Sequence, residues 1–473
     1  MLLTFLALLA ATLLGAGWYA YHKGFTSKWR GIVTNEFRKR GFEVSLRRLT
    51  LDPLRGLVAK DVRVYETKER KRTVAFIDEM VLQVNYANLA RGKPFLDALD
   101  LRDASLSLRL DPASSRGPRI EIAKLNARLF LPPQQIYLAH AEAEVFGVRV
   151  HAAGRLINPQ AFRPKPGDKG VPPLALIERI AGEIAALKFE DEPPLLSITF
   201  SGDLAQPGKV SATLALWGEK IRRKNYLLGS LYVAADFRDG VIDLNDLTAR
   251  DAAGELHLTG LIEPAPGTAQ LRVHSTLDTP VLLRAFDAFP APDDTVFFTP
   301  PTLDAQATVS FGESPAVQIL GHLALGRFAC KSVIFESASA DFSSDGPRWT
   351  LRDVRLVQRT GEISGDVQQL PGDFRARLRS TINPKVLRPL LTGKAAETLA
   401  QFEFPQAPQL TLEAHGTAPT PDALTVHGEV QLGPASFRGA AVENASTTLH
   451  YENRALSLTP FRAGGRTVSE WPL

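Results

Sequence analysis

The 473-residue chain is poor in the residues and motifs of enzyme chemistry. Its one cysteine, Cys330, excludes an intramolecular disulfide and a cysteine-based metal site. It has no His-Glu-x-x-His, Gly-x-Ser-x-Gly, Gly-x-x-x-x-Gly-Lys or Ser-x-x-Lys motif. Its nine histidines lack metal-ligand spacing, and those on strand-like segments are typical of solvated side chains: His257, His274, His427 and His450. We therefore expect no enzyme activity, no catalytic or metal-ligating residues and no cofactor.

Charged residues are moderate in number but unevenly placed. The net charge is +4, and 44% hydrophobic with 22% charged residues is enough for folded cores. Basic residues concentrate near the start: Lys23, Lys28, Arg30, Arg38, Lys39, Arg40, Arg47 and Arg48. No base-stacking module accompanies them, so nucleic acid is not an expected partner. They fit a contact with anionic lipid headgroups, and a merely solvated basic face is the alternative.

Residues 1–21 have no charged side chain and are dominated by Leu and Ala. They are long enough for a membrane-spanning helix, with Trp18 and Tyr19 at the interface. We predict a single-pass anchor, with a cleaved signal peptide as the alternative. The positive-inside rule would place the basic flank that follows in the cytoplasm.

Residues 22–41 are predicted to form a juxtamembrane amphipathic basic helix. Phe25, Trp29, Val33 and Phe37 share one stripe of it. A helix that caps the following sheet is the alternative, and both can hold together. The candidate membrane-surface residues are Trp18, Tyr19, Lys28, Trp29, Arg38, Lys39 and Arg40.

Beyond residue 41 the apolar period changes from that of a helix to that of a strand. Val62-Arg63-Val64 and Leu106-Ser107-Leu108 alternate apolar with polar residues, as strands with one apolar face do. This predicts a β region over 42–160. A proline-rich linker followed by a helix is predicted for 161–193.

The second half of the chain is a long internal repeat. Pro194-Leu195-Leu196, Pro301-Thr302-Leu303 and Pro408-Gln409-Leu410 begin three similar passages, spaced 107 residues apart. A repeat of this length indicates one structural unit stacked on itself. The first two copies share Gly254-Glu255 with Gly361-Glu362, and Ser275-Thr276 with Ser380-Thr381. We predict β repeats at 194–300 and 301–407 and a partial repeat at 408–473.

The predicted fold is mainly β. It is an N-terminal transmembrane helix followed by an elongated, repetitive antiparallel β-sheet curled into a groove, with a few short helices. At about 12–15 residues per strand and turn, residues 42–473 hold about 30 strands, or about 140–150 Å of sheet.

Few helices are predicted to cover the apolar face of so long a sheet. The sheet either folds on itself or curls into a trough whose apolar interior binds a ligand. The candidate lining residues are Leu196, Ile198, Leu256, Leu258, Leu303, Leu410 and Leu412. This assignment rests on parity, that is, on counting alternate residues along each strand. A single bulge in a strand would therefore move the residues beyond it to the opposite face.

The segment after the predicted anchor resembles the start of AsmA-family proteins. The similar stretches are Gly-Phe-Glu-Val at 41–44, Leu-Asp-Pro-Leu-Arg-Gly-Leu at 51–57 and Asp-Val-Arg-Val at 61–64. The repeats, with Phe-Glu-Phe-Pro at 402–405, resemble the C-terminal region of AsmA and its TamB relatives.

The resemblance implies a bacterial inner-membrane anchor and a periplasmic β-groove like that of chorein-type bridge-like lipid transfer proteins. It implies that the chain carries phospholipid towards the outer membrane, with outer-membrane assembly components as further partners. The alternative is an assembly scaffold whose strand edges pair with a client protein.

Overall fold

The fold is described from a computed structural model. The described residues are 25, 27–39, 43–52, 55–65, 70, 73–109, 119–158, 182–286, 295–311, 315–391, 393–420, 422–452, 455–459, 461–463 and 466–468. At 66% strand with a few short helices, the chain is mainly β, as predicted. Two compact units divide it: residues up to 222 with 230–243, and residues 223–229 with 244 onward.

The helices are short. They are α1 (Ser27–Lys39), α2 (Tyr86–Ala90), α3 (Thr279–Ala285) and α4 (Lys394–Ala400), with 3-10 turns at Pro207–Lys209 and Pro384–Leu390. Among the described residues, no helix combines the length and apolar character needed to cross a membrane. The predicted anchor at 1–21 lies outside the described residues.

The first unit is built on one sheet. Its strands are β1 (Glu43–Asp52), β2 (Gly56–Tyr65), β3 (Thr73–Val84), β4 (Leu96–Arg109), β5 (Arg119–Phe130), β6 (Gln135–Val145), β7 (Val148–Ile157), β8 (Lys188–Phe189), β9 (Leu195–Asp203) and β10 (Ser211–Arg223). From β1 to β7 each strand pairs antiparallel with the next. β10 pairs antiparallel with β9 and, at its end, with β8.

The prediction of a purely antiparallel sheet is wrong at one place, because β7 and β9 run parallel. Parallel neighbours need a long crossover rather than a hairpin. The chain supplies one, since residues 158–194 separate the two strands. The strands β11 (Tyr226–Arg238) and β12 (Val241–Arg250) each contribute residues to both units.

The second unit has an antiparallel sheet of consecutively paired strands. They are β13 (Glu255–Glu263), β14 (Thr268–Ser275), β16 (Thr302–Ser310), β17 (Ala316–Leu325), β20 (Ser337–Asp345), β21 (Arg348–Gln358), β22 (Gly361–Leu370), β23 (Asp373–Ser380), β25 (Gln409–Gly416), β26 (Leu424–Leu432), β29 (Ala445–Glu452) and β30 (Ala455–Leu458). β31 (Phe461–Ala463) also pairs with β29, and β32 (Arg466–Val468) pairs with β31.

Two small three-stranded sheets lie beside this large one. One comprises β15 (Thr295–Phe297), β18 (Phe328–Cys330) and β19 (Val333–Phe335). The other comprises β24 (Phe402–Glu403), β27 (Ala435–Phe437) and β28 (Ala440–Val442). Shifted by the 107-residue spacing of the sequence repeat, β18 and β19 fall on β27 and β28. The repetitive β architecture predicted from the sequence is therefore confirmed.

In each of the first two repeats the Gly-Glu motif and the Ser-Thr motif are hydrogen-bonded to each other, at a place that we call the junction. The Thr381 Oγ1 accepts a hydrogen bond from the Glu362 amide (3.0 Å) and donates one to the Glu362 carbonyl (3.3 Å). Thr276 and Glu255 make the same two bonds at the same distances. Each junction closes the end of one hairpin before the following helical turn begins.

The close approach at this junction explains the paired glycines. A Cβ on Gly361 would lie 2.2 Å from the Thr381 carbonyl oxygen, a backbone atom that cannot move aside alone. A Cβ on Gly254 would lie 2.5 Å from the Thr276 carbonyl oxygen. Glycine is therefore required where the two strands cross so closely.

The helix α1 caps the first sheet. Val33 and Phe37 are buried in one core with Leu49, Met80 and Leu82 of the strands. The stripe predicted for α1 therefore packs on protein, with Trp29 left 44% exposed. The helix α1 therefore caps the sheet, as in the alternative prediction, which is compatible with a contact to the membrane surface.

A charged cluster fixes the entry from α1 into β1. The buried Glu43 carboxylate accepts hydrogen bonds from Arg38 Nε (3.0 Å) and from Arg70 Nη2 (2.7 Å). Hydrogen bonding to the two arginines lowers the pKa of Glu43 from its ordinary 4.5 to about 2.

We expect Gly361→Ala to destabilise the second unit by about 1–3 kcal/mol, because the added methyl overlaps backbone. The measurement is the urea unfolding midpoint. Gly31→Ala in α1 is the control: a Cβ added there would meet no atom within 4 Å, so alanine should be neutral or stabilising by up to about 1 kcal/mol. Equal losses in both variants would contradict this explanation.

Glu43→Gln is expected to lower stability at neutral pH and to do so less as the solution is acidified. The depressed pKa means that the native carboxylate adds stability above about pH 4.5 and loses it as pH falls towards about 2. Unfolding midpoints across that window measure the effect. The same substitution in an Arg38→Gln, Arg70→Gln background should cost little, and a pH-independent cost would argue against the pairing.

Candidate functional site

The large sheet of the second unit has one apolar and one polar face. On β25 the apolar residues Leu410, Leu412 and Ala414 are half-buried, while Thr411 and Glu413 are exposed. Side chains of directly paired residues lie on the same face of a sheet. The register therefore extends one apolar row across eleven strands: Leu258, Val273, Ala305, Gly321, Phe342, Leu351, Val367, Ala376, Ala414, Val426 and Tyr451.

We call this surface the apolar face. Five predicted lining residues belong to it: Leu256, Leu258, Leu303, Leu410 and Leu412. All five are half-buried, in contrast to core residues of this unit such as Val333, which is 2% exposed. The face thus leaves part of its apolar surface exposed to solvent.

The other two predicted residues, Leu196 and Ile198, lie in the first unit. They share a face of β9, opposite Leu216 and Leu214 of β10. Both are half-buried. The structure thus groups the predicted residues into a set of five and a set of two.

A concavity of about 250 Å³ opens on the apolar face. Leu323, Ala340, Phe342, Trp349 and Leu351 are among the residues that line it. It lies beside two bulges, one in the β20–β21 pairing and one in the β21–β22 pairing. Bulges bend a strand and increase its twist, which accounts for a hollow at this place.

In the bulge between β21 and β22, a side chain accepts a hydrogen bond from the displaced main-chain amide. Asp353 has a positive φ of 50°, and its amide donates to Asp366 Oδ1 on the next strand (3.1 Å). The same device occurs in the first unit, where Asp103 (φ 46°) donates to Asn126 Oδ1 (3.1 Å). Sequence parity alone carried no signal for either bulge.

The opposite face is a ladder of charged and polar side chains. His274 pairs with Asp304 and His322 with Asp341, each through Nδ1 to carboxylate contacts of 2.6 Å. The same row continues through Arg377, whose Nε donates to Glu413 (2.9 Å). These exposed pairs suit contact with water.

The repeat junctions are flanked by aromatic clusters. Phe328 stacks on Phe297 and Phe335, with ring centroids 6.0 and 5.1 Å away. Cys330 packs half-buried against this cluster, and its counterpart in the third copy is Phe437. Cys330 thus packs here as an apolar side chain.

The predicted membrane-surface residues are only partly described. Lys28 and Trp29 are exposed on α1, and Arg38 is exposed while bonded to Glu43. Trp18, Tyr19, Arg40 and the side chain of Lys39 lie outside the described residues.

Compared with protein-family models, curated proteins and solved structures, the chain matches none of them. Its function is therefore argued from the geometry above, and the resemblance to AsmA-like proteins stays a prediction.

Proposed function

We propose that this chain is a membrane-anchored, periplasmic, AsmA-like protein that carries phospholipid towards the outer membrane. The apolar face of the second unit, curled into a groove, would hold the acyl chains while headgroups stay in water. The observation that carries this proposal is the unbroken apolar row from Leu258 to Tyr451, half-buried and backed by a polar face.

The energetics suit transfer rather than storage. Each methylene buried on the apolar face is stabilised by about 0.8 kcal/mol, close to its stabilisation in a bilayer. A lipid therefore gains little by staying in either place. Movement along a continuous apolar surface then needs no nucleotide site, and the chain has no phosphate-binding motif.

The membrane contact is proposed to lie at the amino-terminal end. Exposed Lys28 and Trp29 on α1 would meet the headgroup region next to the predicted anchor. The packing of Val33 and Phe37 into the first core holds this helix firmly on the sheet. The first unit would thus present a firmly packed, positively charged helix to the membrane.

The scaffold alternative requires a free strand edge. At β1, the first strand of the sheet, α1 and Phe25, which precedes it, already cover part of the main chain. The Phe25 amide donates to the Leu49 carbonyl (2.6 Å), and Arg30 Nη1 donates to the Arg47 carbonyl (2.9 Å). Client binding by strand pairing is therefore disfavoured at this edge.

The proposal predicts lipid at Leu258 and none on the other side of the same strand. A photo-crosslinking amino acid replaces Leu258 in the full chain, expressed in a Gram-negative bacterium, and cross-linked lipid is identified by mass spectrometry. The control is the neighbouring position Thr259, which is exposed on the polar face.

Leu258→Glu should reduce lipid captured by a cross-linker at Leu412 by at least tenfold, about 1.4 kcal/mol, because acyl chains that move along the face would have to remove water from the introduced carboxylate. Thr259→Glu should leave capture unchanged, and limited proteolysis should show both variants folded. Equal capture at positions 258 and 259 would refute the groove. Capture of a protein in place of lipid would support the scaffold.

A further inference from the structure

Two histidines meet on the polar face of the third repeat. His427 of β26 and His450 of β29 are directly paired, with Nδ1 atoms 3.1 Å apart and ring centroids 4.6 Å apart. His415 of β25 stacks on His427 with centroids 5.7 Å apart. The two strands are held by seven consecutive paired positions, which fix the main-chain positions of His427 and His450 relative to each other.

We propose that His427 and His450 form a two-imidazole site for a borderline divalent metal ion, Zn²⁺ or Ni²⁺, with both Nδ1 atoms as ligands. Metal–imidazole bonds of about 2.0–2.1 Å place neighbouring ligand atoms about 2.9–3.4 Å apart, depending on the coordination angle. The observed separation of 3.1 Å lies in that range. Imidazole nitrogen is a preferred ligand for these ions.

The surroundings of His450 fit a ligand. Its Nε2 lies 3.5 Å from Glu452 Oε2. A carboxylate on this side favours a proton on Nε2, as second-shell carboxylates do, and so puts the lone pair of His450 on Nδ1, which faces the Nδ1 of His427. The two Nδ1 atoms lie within hydrogen-bond distance, so a bound ion would take the place of the proton between them. Glu413 faces His427 in the register, and its carboxylate is paired with Arg377.

The site is distinct from the other histidines on the polar face. In His274 and His322 the Nδ1 atom already contacts a carboxylate oxygen at 2.6 Å. Among the described residues, no three His, Cys, Asp or Glu side chains surround one metal position. The proposed ion is therefore held by two protein ligands and completed by water. Sequence spacing missed the pair because its members lie on separate strands.

Metal binding here would tie β26 to β29. A ligand that binds the folded sheet and not the unfolded chain stabilises the fold by mass action. Ni²⁺ or Zn²⁺ should therefore raise the thermal midpoint. Acidification should abolish the rise, because protonated imidazole cannot bind the ion.

The test uses the full chain, purified without a histidine tag and stripped with a chelator. Isothermal titration with NiCl₂ or ZnCl₂ should show saturable binding of one ion per chain at His427 and His450. His427→Gln and His450→Gln should each weaken it by at least tenfold. Glu452→Gln should weaken it about 10–100-fold, the range for second-shell partners.

His274→Gln is the matched control, an exposed strand histidine on the same face, and it should bind like the parent chain. Thermal midpoints without metal show whether each variant is folded. Saturable binding that survives in the His427→Gln, His450→Gln double variant would overturn the proposal. So would the absence of saturable binding in the parent chain, or an equal loss in His274→Gln.

Discussion

The structure depends on keeping the two faces of a very long β-ladder chemically separate. Side chains alternate along a strand, so a slip of one residue in the strand pairing would move Leu410 and Leu412 to the polar face and Thr411 to the apolar face. The apolar face resists such a slip, because it would expose apolar side chains along the row that they share with neighbouring strands. The polar face resists it through its cross-strand pairs, such as Arg377 with Glu413. The two faces thus specify the same register.

Strand alternation alone does not end a repeat; the junction does. Thr276 bonds to both main-chain groups of Glu255, the first residue of β13, and Thr381 bonds to both main-chain groups of Glu362, the second residue of β22. Next to them, Leu277 and Ile382 are each 1% exposed, so the turn also contributes to the core. One polar and one apolar anchor at each junction direct the chain into a helical turn before the next unit.

Much of this was predictable because it is local or periodic. The 107-residue spacing predicted the recurrence of β18 and β19 as β27 and β28. Parity placed Leu256, Leu258 and Leu303 on one face, which the register shows. The parallel pairing of β7 with β9 and the meeting of His427 with His450 were not predictable, because they depend on which distant strands become neighbours.

The bulges show why counting alternate residues assigned the correct face, although a bulge can invert such an assignment. Counting by twos from Leu351 would turn Asp353 towards the apolar face. Asp353 instead takes a positive φ, and Val354, three residues after Leu351, is the next half-buried apolar residue. The Asp366 carboxylate accepts the displaced amide, so the Asp353 N–H keeps a hydrogen-bond partner at the bulge. A bulge with its own acceptor can therefore bend a strand and still return the apolar residues that follow it to the same face.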